Sequence, residues 1–208
     1  MNRSNYYEHM KELAHEIRSS YGLTSPRVLR SDLRRIYKKQ NIKIDLWPHK
    51  FKGLRGAYFN DDYGASVLLD KNLPQDPMVF TMAHELKHHL VDRKGQTMIF
   101  CDMSNQNKII EIGAEVFAAE MLFPDDIFIT SMEELGIDEG ECEAETIVRL
   151  KQNSRTTLSY TGLAKKAEFL GYAGRGTFEG VHWKKLEISM YGEPLYKRIN
   201  RRRKKVFV

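Results

Sequence analysis

The sequence predicts an α+β fold, in which a small antiparallel or mixed sheet packs against one buried helix and further helices follow. Three observations predict it. Asn41 to Trp47, Gly56 to Phe59 and Ala65 to Asp70 are short apolar segments, the first of them alternating as a half-buried strand does. Pro77 to Asp92 and Asn107 to Leu122 carry enough apolar residues at helical spacing to be largely buried. Between Asp126 and Leu170 the segments read mainly as helices. One domain over residues 1–196 is expected, with N-terminal helices and strands in 1–75, two central helices in 76–124 and a helical part in 125–196, followed by a basic tail, 197–208.

Each element has a local reason. Asn5 to Ser20 places Tyr6, Met10, Leu13, Ala14 and Ile17 on one helical face, and Tyr21-Gly22 stops it. Ser31 to Gln40 is a second helix with Ser31 as its expected N-cap. The two strands flanking Asn60 to Gly64 make a hairpin, because that connection is polar and ends in glycine. Asp76 before Pro77 reads as an N-cap with proline at the first helical position, and Arg93 to Gly95 ends the helix. Gln96 to Asn107 has no period and reads as a loop. Pro124 ends the second central helix, in which small Ala114, Ala118 and Ala119 allow close helix approach. Asp126 to Leu135, Gly140 to Gln152 and Ser159 to Leu170 are the later helices, and Phe178 to Tyr196 has a mixed pattern.

Composition bounds the rest. With 41% hydrophobic and 29% charged residues, the chain has the balance of a soluble globular protein. No apolar run approaches the ~20 residues of a membrane span, and the N-terminus lacks the apolar core of a signal peptide, so no membrane partner and a cytoplasmic location are expected. Cys101 and Cys142 stand far apart and read as reduced thiols rather than a disulfide or a Cys-rich zinc site. The net charge of +5 belongs to the tail, since Lys197 to Lys205 holds seven basic residues in nine. Such a run can attract nucleic acid or an acidic partner, but it reads first as a solvated terminus. The later helices superficially suggest a helix-turn-helix, yet they lack a cluster of Arg and Lys at the exposed start.

The chemistry concentrates in His84-Glu85-Leu86-Lys87-His88. Residues four apart on a helix differ by about 40° of rotation, so His84 and His88 face the same way and can hold one zinc ion. Glu85 beside them can take a proton from water as general base. A catalytic zinc needs a third protein ligand. The HExxHxxGxxH continuation fails, with Val91 and Lys94 where Gly and His belong. His89 lies about 140° round the helix from His84 and reads as a helix-face or interface histidine. Glu111 and Glu115, on one face of an apolar helix, can serve as ligand and as hydrogen-bond partner of a ligating imidazole. The plain alternative leaves both solvated on the outer face. Tyr58 and His182 are candidate donors to an oxyanion.

HELKHHLV followed by EIGAEVFAAEMLFP resembles the ImmA/IrrE-type metallopeptidases, whose pattern reads HELGH and then E-x-x-A-N-x-F-A-A-x-L-L-x-P. The resemblance runs from the N-terminal helices through NIKIDLW and GAYF to Pro124, and SYTGLAKKAEFLG is similar to a later segment of that family. It implies a zincin-like fold with His84, His88 and Glu111 as zinc ligands and Glu85 as the catalytic acid and base. Two positions depart from the pattern. Lys87 replaces Gly, on what is expected to be an exposed helix face. Glu115 replaces Asn, which leaves it as a hydrogen-bonding neighbour or as a competing ligand.

The resemblance further implies a zinc endopeptidase whose partner is a protein substrate, often a helix-turn-helix transcriptional repressor of mobile elements or stress genes. The competing class is a non-catalytic regulator or toxin–antitoxin component on the same scaffold. Bound zinc favours the enzyme, and a metal-free protein with salt-sensitive DNA affinity favours the regulator.

Overall fold

The computed structural model describes residues 2–48, 55–93 and 109–193, and the backbone of 98–100. Cys101, the basic tail 197–208 and most of the stretch expected as a loop after the motif lie outside the described residues. The chain divides into two compact units, Met1–Thr130 with Ser154–Ser159, and Ser131–Asn153 with Tyr160–Val208.

The first unit is α+β, as expected. It opens with α1 (Arg3–Ser20) and α2 (Arg30–Lys39), followed by β1 (Lys43–Trp47), β2 (Gly56–Asp61) and β3 (Gly64–Asp70). The first turn of α2 is not capped by Ser31. The Leu29 N–H donates to Asp32 Oδ2 at 2.8 Å, so a carboxylate three residues ahead satisfies the end of the helix. A fourth strand, β4 (Met98–Phe100), lies within the segment read as a loop. At three residues it is too short to display an alternation.

The sheet order is β1-β3-β2-β4, with β1 parallel to β3 and β2 antiparallel to both of its neighbours. The pairs Gly56 with Leu69 and Tyr58 with Val67 share one buried face. Helix α3 (Gln75–Lys87) packs on this face. It begins two residues before the expected Pro77 start, with Pro74 as its N-cap. Its last turn, His88–Asp92, is a π-helix. A period change of this kind leaves no mark in a hydrophobic pattern, and π turns recur at functional sites.

Helix α4 (Ile109–Leu122) packs against both α1 and α3, burying Gly113, Ala114, Phe117, Ala118, Met121 and Leu122. Gly113 is required by its neighbour, because a Cβ there would stand 2.5 Å from Tyr6 Cε1 on α1. The buried Arg18 donates to the Met121 carbonyl at 2.7 Å and to that of Ser25 at 3.0 Å, fixing the end of α4 against α1. Glu120 accepts the Asp125 N–H at 2.8 Å and so caps the start of α5 (Asp125–Glu134).

The second unit holds α6 (Ala144–Ser154, without its last residue), α7 (Tyr160–Phe169) and α8 (Trp183–Tyr191), the last within the stretch whose pattern was mixed. Tyr160 stacks on Trp183 with centroids 5.7 Å apart, and the Cys142 N–H donates to the Tyr172 carbonyl at 2.9 Å. Cys142 is a free, buried thiol, pushed up to about 11 by burial and by Glu143. Among the described residues, no helix is long and apolar enough to cross a membrane.

Candidate metal centre

The site is assembled by two helices of the first unit. His84 projects from α3 and His88 from the start of the π turn that follows it, their ring centroids 5.1 Å apart. Glu111 comes from the first turn of α4 and faces them. Its Oε2 lies 3.3 Å from His84 Nε2, and its Oε1 lies 3.7 Å from His88 Nε2. One ligand atom from each residue lies within 4.8 Å of the others.

Those separations suit a metal. Zinc bonds of about 2.1 Å in a tetrahedral site place neighbouring ligand atoms roughly 3.4 Å apart. Two imidazole nitrogens and one carboxylate oxygen form a donor set suited to zinc, with a fourth position left over. The cluster is thus geometrically compatible with a single zinc ion. The His88 side chain is fully buried, whereas those of His84 and Glu111 are 12% and 11% exposed, so the centre is reached from their side.

A partner not anticipated from the sequence completes it. Asp92, in the π turn, places Oδ2 2.7 Å from His88 Nδ1. Imidazole Nδ1–H donating to this carboxylate leaves the Nε2 lone pair facing Glu111 and the centre of the cluster. Burial alone would raise the Asp92 pKa. Its hydrogen bonds from His88 and Lys87, with their charges, hold it below the ordinary carboxylate value. The signal was present in the sequence as His88-x-x-x-Asp92, a helical i,i+4 pair.

Lys87 is the clearest reversal of an expectation. Its side chain is fully buried rather than on an exposed face. Nζ donates to Asp92 Oδ2 at 2.7 Å and to the Ile110 carbonyl at 3.0 Å, and it sits 5.6 Å from the centre of the Tyr6 ring. A buried ammonium is costly unless paired, and here the carboxylate and the carbonyl pair it.

Glu85 is also fully buried. Its carboxylate lies against β2, where a Cβ on Gly56 would stand 2.8 Å from Glu85 Oε1 and 2.6 Å from Thr81 Cγ2. Gly56 therefore lets the helix lie close to the strand at the position of this carboxylate.

The other candidate residues have settings of their own. Glu115 is exposed on α4 and is not among the three residues whose ligand atoms converge. One helical turn past Glu111 carries it away from the cluster by about 6 Å along the axis. Tyr58 is buried on β2, with its hydroxyl 3.0 Å from His89 Nδ1. Burial raises the Tyr58 pKa against the opposing charge of Arg93, and burial, aided by Arg93, lowers that of His89. His182 is exposed, belongs to the second unit and precedes α8.

A family model described as the IrrE N-terminal-like domain, a peptidase family, matches residues 38–161, which include every element of this centre. Comparison with curated proteins gives no match.

Proposed function

The chain belongs to the IrrE N-terminal-like peptidase family, and from that premise we propose that it is a site-specific endopeptidase acting on a regulatory protein, such as a helix-turn-helix repressor. The zinc-dependent peptidase activity follows from the motif, the third carboxylate and the family; the choice of substrate is the proposal. The observation that carries the chemistry is the convergence of His84, His88 and Glu111.

In this reading His84, His88 and Glu111 would hold the metal, which would supply Lewis acidity toward a peptide carbonyl and a water. Glu85 follows His84 directly in the chain and takes the proton of the attacking water, then delivers it to the leaving amine. Asp92 keeps the His88 proton on Nδ1 throughout. Burial of Glu85 and His88 limits bulk water at the reacting atoms, which strengthens each electrostatic contact. A recessed centre of this kind favours an extended, locally unfolded segment of a protein over a compact surface. That supports cleavage at few positions.

Glu85→Gln tests the mechanism. It should bind zinc as wild type does and lose about 10²–10⁴-fold in cleavage rate. Cleavage at the wild-type rate would show the assignment of Glu85 to be wrong. For the substrate, incubation with a helix-turn-helix repressor should give a single cut by mass spectrometry. An intact repressor alongside an efficiently cut unrelated protein would overturn the substrate reading and leave the peptidase reading standing.

A further inference from the structure

We propose that Lys87 is a positioning residue of the metal centre, its buried ammonium tying the turn that carries His88 to the helix that carries Glu111. The proposal rests on the zinc-site reading above. Two hydrogen-bond acceptors of Nζ adjoin ligands. Asp92 Oδ2, at 2.7 Å, also takes the His88 Nδ1–H at the same distance, so one oxygen is shared by the ammonium and the imidazole. The Ile110 carbonyl, at 3.0 Å, belongs to the residue immediately before Glu111. One cation therefore fixes the oxygen that orients His88 and the backbone that presents Glu111.

Charge points the same way. The Lys87 ammonium and the Asp92 carboxylate meet at 2.7 Å with the lysine fully buried, so each compensates a charge that would be costly alone beside the ligands. Tyr6 supports the cation from α1, with its ring 5.6 Å from Nζ, and the missing side chain at Gly113 makes room for that ring. An apolar residue could fill the same volume without this desolvation cost, so packing alone does not account for a lysine here.

The test is a double-mutant cycle read out by metal affinity. Wild type, Lys87→Met, Asp92→Asn and the double variant are compared by chelator competition for Zn2+ and by the visible spectrum of the Co2+-loaded proteins. Lys87→Met should bind Zn2+ about 10–100-fold more weakly and shift the Co2+ spectrum. Asp92→Asn should do the same, and the double variant should lose less than the two single losses combined, because the two groups share one oxygen. A purely structural lysine would lower thermal stability while leaving affinity and spectrum unchanged, and that result overturns the proposal. Should Lys87→Met fail to fold, Asp92→Asn decides: wild-type affinity there removes the route by which Lys87 would act. A wild-type protein that binds neither ion removes the zinc-site reading itself, a distinguishable outcome.

Discussion

At His88 the two ring nitrogens do different work: Nδ1 meets Asp92 and Nε2 meets Glu111. Asp92 therefore has two consequences that can be measured. Its pKa lies below the ordinary value in the folded protein, so its ionised form adds stability above the ordinary carboxylate range. That stability is lost as pH falls through the lowered value, below about pH 4. In metal-free protein, Asp92→Asn should flatten the acid limb of the stability–pH curve, followed by circular dichroism; an unchanged limb contradicts the pairing. At this scale the ligands were legible because His84 and His88 share one helical face, and Glu111 stood out as a carboxylate in an apolar run. Lys87 and Asp92 were not. A lysine on an amphipathic helix reads as solvent-facing, and its burial depends on Tyr6 and the Ile110 carbonyl, which only the folded chain brings to it.

Among the elements, the contact of β2 with α3 matters most for the reaction. Gly56 has no φ that demands glycine; it is needed because Thr81 and Glu85 lie where a Cβ would go. Gly56→Ala should destabilise the fold by about 1–3 kcal/mol through overpacking and reduce cleavage more than zinc binding, because the displaced group is Glu85 rather than a ligand. Chemical denaturation, zinc titration and turnover on the same variant check this, and undiminished stability with full activity contradicts it. The helices and the β2–β3 hairpin were readable because their signals are local: apolar spacing, a polar turn, a terminating glycine. The strand β4 and the π turn were not, since the first is set by pairing with β2 and the second by hydrogen bonding within a turn. The neighbouring Tyr58–His89 hydrogen bond is equally invisible to a linear pattern, because its members are thirty-one residues apart.

For the whole molecule, the metal couples α3 to α4 and so couples site to stability. A ligand present at a hundred times its dissociation constant stabilises the folded state by about 2.7 kcal/mol, roughly 5–10 °C in unfolding temperature for a chain of this size. Chelation should produce that drop, with hydrogen exchange increasing first in α3 and α4 of the first unit. An unfolding temperature indifferent to chelator contradicts a metal held by both helices. The family match spans residues 38–161, so the centre and the sheet beneath it belong to the shared architecture, whereas α1, which supplies Tyr6, lies before the matched span. The ammonium at position 87 and the aromatic ring covering it thus join the shared region to a helix outside it.

Elemental analysis of the purified proteins tests the central claim most directly. Wild type and Glu115→Ala should each carry one zinc per chain, and His84→Ala, His88→Ala and Glu111→Ala should each lose most of it while remaining folded. Full zinc in Glu111→Ala, or its loss in Glu115→Ala alone, would contradict the site as assigned.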